Sequence, residues 1–276
     1  MIRLAESRVA RLLLLLGLCL APWNGAARAA AFDPSQSDSG AIAIADQLMG
    51  ALGGEAAWSG TRCLQFAFAV ERGGREVVRR THLWDRYSGR LRYEGTDKAG
   101  RKILVLLDTA TRQGQAFRDA QPLEGEQAAP LLEQAYGAWI NDMYWLLMPY
   151  KMKDPGVHLR YEGEVTHNGA VYDKVLLTFD KVGLTPGDRY WAHINRKTHL
   201  MDRWEYILQD DPPGQKPTEW AWTGWTRKGS ILLSTEKTTL RQDGPVRIHH
   251  PVLEVYPALP DAYFTRPEPL PARLAS

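Results

Sequence analysis

The chain has 276 residues, with 34 lysines and arginines against 32 aspartates and glutamates, and 44% of it is hydrophobic, enough for one large β domain or two small ones. The basic excess sits at the N-terminus: the first 29 residues hold Arg3, Arg8, Arg11 and Arg28 against Glu6, which leaves 30 basic and 31 acidic residues beyond them. Without a global positive field the remainder has no claim on nucleic acid as a partner.

Residues 1–29 read as a secretory signal peptide. Arginines precede the run "LLLLLGLCLAPW", which is too short to span a bilayer comfortably, and "AARAA" supplies small residues for signal peptidase. Cleavage is expected after Ala29, with Ala31 as the alternative. Two rivals keep the chain in the envelope. One is lipidation at Cys19, although Leu18 stands where a lipobox carries Gly, Ala or Ser; the other is an uncleaved anchor. No later segment has about twenty consecutive apolar residues, so no transmembrane span is expected after cleavage. The expected location is the periplasm, with outer-membrane association as an option. Only Cys63 survives cleavage, which precludes an internal disulfide. Flanked by Leu64 and Phe66, it reads as a small buried hydrophobe rather than a nucleophile.

Residues 30–41, rich in Ser, Asp, Pro and Gly, read as a flexible mature terminus. Ile44, Leu48 and Leu52 then predict a helix that weakens at Gly53 and Gly54. "LQFAFAV" puts Leu64, Phe66, Phe68 and Val70 on one face of a strand, and "ERGGRE" connects it to "VVRRTHLWDRY" as a hairpin. "LRYEGT" and "KILVLLD" extend the meander, which breaks at 113–127, where Gly, Pro and Gln accumulate. A helical insertion follows, "QAAPLLEQAYG" and then "AWINDMYWLLMPYKM" at 138–152. Its Trp139, Ile140, Met143, Leu146, Leu147 and Tyr150 form one apolar stripe, while Trp145 and Met148 lie towards the other side. The meander then resumes through "VHLRYEGEVTHNG", "AVYDKVLLTFD", "RYWAHINRKTH", "LMDRWEYILQD", "PTEWAWTGWTRKG", "SILLSTEKTTLRQDG" and "PVRIHHPVLEVY". A proline-rich strap and a frayed tail at 265–276 end the chain.

A meander of this length must cover its apolar face, by closing or with helices. The expected fold is mainly β within the α+β class: a curved antiparallel open half-barrel of about ten strands over residues 42–264, with the helical insertion as a plug or lid, half core and half lid. The order of elements behind a signal resembles the LolA/LolB-like lipoprotein carriers. The phrases "GGEAAW", "HLWDRYSGRLRYEG", "WINDMYWLLMPYKMKDPG" and "VYDKVLLTFDKVGLTPGDRYWAHINRKTHLMDRWEY" are similar to an uncharacterised bacterial family placed near outer-membrane lipoprotein-sorting proteins. The resemblance implies an apolar cavity for acyl chains; no residue of the carriers' functional positions is matched here.

Nine of the ten tryptophans follow the signal, which suits either a large core or an aromatic-lined cavity. The leading expectation is a non-catalytic carrier of a lipid, a lipoprotein acyl chain or another hydrophobic small molecule, without a cofactor. The candidate lining is Phe66, Phe68, Trp84, Leu104, Leu106, Trp139, Met143, Leu147, Trp191, Trp204 and Trp222. Trp145 and Met148 are assigned to a moving lid surface, and Arg86 and Lys151 to an anionic head group at the mouth. The alternatives are a module that docks its greasy insertion on an envelope protein partner, and a hydrolase of an envelope lipid or glycan. No nucleophile elbow, zinc-protease helix, Walker loop or Rossmann glycine fingerprint is present. His82 and Asp85 point to opposite faces of one strand, as do His249 and His250, and His193 with His199 lacks further ligands for a metal.

Overall fold

The computed structural model describes residues 31–180, 185–239, 244–271 and 274. The expected signal at 1–29 lies outside the described residues. After a 3₁₀ turn at Pro34–Gln36 come helices α1 (Ser39–Ala51) and α2 (Glu55–Gly60). The first meander is β1 (Cys63–Arg72), β2 (Arg75–Asp85), β3 (Arg90–Thr96), β4 (Lys102–Asp108), β5 (Gly114–Arg118) and β6 (Gln121–Leu123). Helix α3 (Ala129–Leu147) and a 3₁₀ turn (Met148–Lys151) separate it from β7 (Val157–His167), β8 (Ala170–Phe179), β9 (Arg189–Asn195), β10 (Met201–Ile207), β11 (Thr218–Lys228), β12 (Ile231–Thr239), β13 (Val246–His249) and β14 (Leu253–Tyr256). A short α4 (Ala262–Thr265) follows.

All fourteen strands join one antiparallel sheet in the order β6-β5-β4-β3-β2-β1-β13-β12-β11-β10-β9-β8-β7, with β14 also on β1. The two meanders meet at β1, whose Ala69 to Arg72 pair with β13 and whose Cys63 to Phe66 pair with β14. The expected count of about ten falls short because β5 and β6 span only five and three residues, too short to show an alternation, and because the stretch "PVRIHHPVLEVY" divides into β13 and β14.

The sheet curves without closing, and both edges are protected. Pro122 withholds a donor at β6. Along β7 the N-terminal segment takes the strand's place: Asp38 N–H donates to the Leu159 carbonyl, and the amides of Leu159 and Tyr161 donate to Ser37 Oγ and Asp38 Oδ2, each at 2.9 Å. These bonds order part of the segment expected to be flexible, and α1 accordingly starts at Ser39.

Helix α3 fills the concave face. Every residue from 138 to 152 is buried, with Trp145 and Met148 at 1% and 0% exposure. The insertion is therefore a plug inside the trough rather than a lid over it, because the sheet curves far enough to meet more than one face of the helix. α1 and α2 close its C-terminal end through Tyr150, whose hydroxyl donates to the carbonyls of Leu52 and Leu232 and whose ring stacks on Trp58 at 4.5 Å.

A second, smaller core lies on the convex face, where Cys63 and Leu83 pack against Leu259, Phe264 and Leu274 of the C-terminal strap. Burial pushes the Cys63 thiol up to about 11, which makes it inert as a nucleophile. The Arg92 guanidinium holds the strap by donating to the carbonyls of Arg266 at 2.8 Å and Glu268 at 2.9 Å. The strap is thus bonded to the sheet past residue 264.

Trp204 stands at the centre of the main core, fully buried against Trp145, Tyr190 and Trp222. Trp204→Ala is expected to lower unfolding free energy by about 3–5 kcal/mol, measured by urea denaturation.

Candidate functional site

The concave face is lined by large apolar side chains, many of them aromatic, because strand alternation sends every second residue inward. On β1 these are Leu64, Phe66, Phe68 and Val70; on β10 and β11 they are Trp204, Tyr206, Trp220 and Trp222. Trp145 of α3 enters this wall edge-on, with ring centres 4.7 Å from both Trp204 and Trp220. One turn and a half earlier on the helix, Trp139 meets Trp84 of β2 edge-on at 5.1 Å. Offset and edge-to-face pairs of this kind add to the area they bury. Ten of the expected residues come together here around α3: Phe66, Phe68, Trp84, Trp139, Met143, Trp145, Leu147, Met148, Trp204 and Trp222.

The polarity of this lining is unusual. The indole N–H groups of Trp84, Trp139, Trp145, Trp204 and Trp222 are buried and have no oxygen or nitrogen partner. An unpaired buried donor costs about 1–3 kcal/mol, so native cores contain few of them.

Three expected lining residues face the other way. Leu104 and Leu106 lie on the convex side of β4, whose inward residues are Ile103, Val105 and Leu107. Leu106 pairs across the sheet with Arg92, itself opposite Leu83, and this row lies under the C-terminal strap. Trp191 is likewise convex, since its neighbours Tyr190 and Ala192 are the inward pair. Its indole donates to Glu162 Oε2 at 2.7 Å, and the Lys174 and Arg189 cations lie over its ring.

Arg86 and Lys151 do not meet at a mouth. The Arg86 guanidinium lies 3.4 Å from the Trp58 ring centre and donates to the carbonyls of Trp58 and Thr61 at the end of α2. Burial pulls it down to about 10. Lys151 is buried and paired with Asp154. Both cations are occupied in holding helix ends.

The polar groups that do reach the interior were not among the expected residues. Asp142, on the face of α3 against β2, is fully buried and accepts from His82 Nε2 at 2.8 Å, Arg80 Nη2 at 2.7 Å and Asn141 Nδ2 at 2.8 Å. A carboxylate only accepts here, so His82 carries its proton on Nε2 and leaves a bare lone pair on Nδ1, which has no partner. Burial holds His82 below the usual imidazole range against the pull of Asp142. The His82 ring stacks on Phe66 at 4.8 Å and meets Tyr93 edge-on at 5.5 Å. Further along the same wall are Lys237 and His250, both buried. The two adjacent histidines divide between faces as expected: His249 pairs with Glu71 at 3.3 Å, and His250 points inward to Phe66 and Phe68.

His82 and Asp142 thus converge, as a hydrolase would require, but around a helix and without a nucleophile. Among the described residues no hydroxyl or thiol bonds to His82. His193 instead pairs with Glu205 at 2.9 Å on the convex face. An open cleft of about 520 Å³ lies where the β5–β6 edge meets the first turn of α3, with Phe117, Pro122, Leu123, Ala128, Ala129 and Leu132 in its lining.

Comparison with known proteins finds similar solved structures and no sequence family. The chain is similar to a DUF1329 family protein from Desulfovibrio piger, at 15% identity and a TM-score of 0.48, covering 82% of this chain and 97% of that one. It is also similar to a LolA superfamily protein from Nitrosomonas europaea, at 13% identity and a TM-score of 0.46, again over 82% and 97%. No family model matches, and no curated protein does. No described helix is long and apolar enough to cross a membrane.

Two outcomes follow from these ion pairs. Asp142→Ala strands Arg80 and His82 without their anion and is expected to cost about 3–5 kcal/mol in urea denaturation. Glu205 is raised by its burial, yet bonds from His193 and Lys174 outweigh this and bring it from 4.5 to about 2. A depressed carboxylate contributes stability above its unfolded pKa and loses it as the pH falls through the folded one. The stability gap between the wild type and Glu205→Gln is therefore expected to shrink between about pH 4.5 and pH 2, followed by urea midpoints across that window.

Proposed function

We propose that the protein is a non-catalytic periplasmic carrier of a hydrophobic or acylated molecule, and that the ligand binds in the trough that α3 now fills. The observation that carries this reading is the set of unpaired indole donors around the helix. A permanent core gains nothing by leaving them unpaired. A ligand with ester or amide oxygens along an acyl chain satisfies donors of this kind while keeping the wall dry.

Energetics allow an exchange. Each methylene of an acyl chain contributes about 0.8 kcal/mol on burial, so one long chain offsets a substantial part of the apolar contact that α3 gives up. The helix is fastened at two places, the Asp142 cluster and the Tyr150 contacts, and its first turn borders the apolar cleft. Entry at the cleft therefore starts at the end of the helix opposite the Tyr150 contacts. The docking alternative predicted a dry or already filled barrel together with an exposed patch on the insertion; the trough is filled by α3, but residues 138 to 152 are buried, which favours the carrier reading. The His82–Asp142 pair serves in this reading as a clasp between α3 and β2, not as an acid–base couple.

Native mass spectrometry, with lipid extraction, of protein purified from an envelope fraction without detergent tests the reading. A discrete co-purifying mass that extracts as a lipid or another apolar molecule is expected, and Trp145→Ser is expected to reduce its retention. Bare protein that also fails to bind hydrophobic probes would overturn the carrier assignment.

A further inference from the structure

Lys237 is the only fully buried amine of the described residues, and nothing on the concave face neutralises it. It lies on β12 opposite Trp222 and Ile248, with its Nζ 4.6 Å from the Trp222 ring centre. Its one hydrogen bond goes to a backbone carbonyl, that of Ser234, at 2.7 Å. Its chain neighbour Glu236 points to the convex side, opposite Thr223 and His249, and pairs with Arg247. Among the described residues no carboxylate lies within ion-pair distance of Lys237. An ammonium buried without an anion beside it is costly, so desolvation holds the amine well below its ordinary range and favours its neutral form.

A second neutral base lies beside it. The His250 amide donates to the Thr235 carbonyl at 3.0 Å, which makes His250 and Lys237 diagonal neighbours across the sheet, roughly 7–8 Å apart at their backbones and within reach of a long side chain. His250 Nδ1 faces the Ala67 carbonyl at 3.0 Å; a carbonyl only accepts, so the proton is on Nδ1 and the bare lone pair on Nε2. That Nε2 is buried without a partner. Phe66 separates this ring from His82, whose free Nδ1 is a third lone pair in the same wall. The one acid of the interior cluster, Asp142, is already taken by Arg80, His82 and Asn141. Beside Lys237 and His250 the trough therefore holds bases without an acid to match among the described residues.

We infer that the trough selects amphiphiles with an acidic head group, a carboxylic acid or a phosphate monoester, and seats that head against Lys237 and His250. This rests on the carrier reading and narrows its ligand class. The acid arrives with its proton; its O–H bond breaks, an N–H bond forms at Lys237 Nζ, and an ammonium–carboxylate or ammonium–phosphate pair remains, with net charge conserved. The new ammonium keeps its bond to the Ser234 carbonyl and has two donors left for the ligand and for a lone pair such as His250 Nε2. A neutral ester of the same chain length offers no proton and leaves the bases as they are.

The test displaces N-phenyl-1-naphthylamine, a neutral fluorescent probe, from the full mature chain with dodecanoic acid, dodecyl phosphate or methyl dodecanoate. One of the acidic ligands is expected to compete roughly tenfold or more better than the ester, the margin of one charge-assisted bond. Lys237→Met, which puts an apolar side chain of similar length in an apolar site, is expected to abolish that preference while keeping ester binding. Equal competition by acid and ester in the wild type would overturn the head-group inference and leave the carrier reading standing. A preference that survives in Lys237→Met would overturn the assignment to Lys237. Failure of the wild type to bind the probe or any of the three ligands would overturn both readings. Because the acid–ester comparison is made on the wild type, it holds even if the variant does not fold.

Discussion

A curved antiparallel sheet that stops short of closure has one apolar face and no second sheet to cover it, and the burial of that face on α3 is the contact on which the rest depends. It explains why every residue from 138 to 152 is buried although few helices are apolar on all sides. It explains why the tryptophans gather on β2, β10, β11 and α3, where a wide gap between a helix and a concave wall calls for large side chains. It also explains the edges: with no closure to remove them, Pro122 and the N-terminal segment protect β6 and β7 separately.

The same burial sets the electrostatics of the interior. A charge brought against α3 has to be paired or neutralised, and the chain does both. Asp142 is paired three times over, whereas desolvation holds Lys237 and His250 well below their ordinary ranges. The carrier and head-group proposals rest on one arrangement: an apolar trough wide enough to hold a helix, lined by donors and lone pairs that the helix leaves unpaired.

Some of the residues were readable in advance and others were not. "LQFAFAV" alternates cleanly, and its inward set of Leu64, Phe66, Phe68 and Val70 is the one found. "KILVLLD" does not alternate, because the strap covers the convex face of β4 and both faces are therefore apolar; Leu104 and Leu106 were assigned inward when Ile103, Val105 and Leu107 are. Trp191 beside Tyr190 posed the same problem, since an aromatic residue packed under cations outside looks in sequence like one packed inside. His82 and Asp142 are separated by 60 positions and Lys237 sits in the polar run "STEKTTL", so no local spacing marks either.

By itself the sequence determined the class of the fold, its antiparallel meander and the presence of one greasy helix, because alternation, turn residues and helical periodicity are local properties of the chain. Whether that helix lies over the trough or within it was decided only by the tertiary structure, as were the faces of Leu104, Leu106 and Trp191 and the meeting of Asp142 with His82. Those depend on strand register and on how far the sheet curves, and both are set by contacts between residues far apart in the chain.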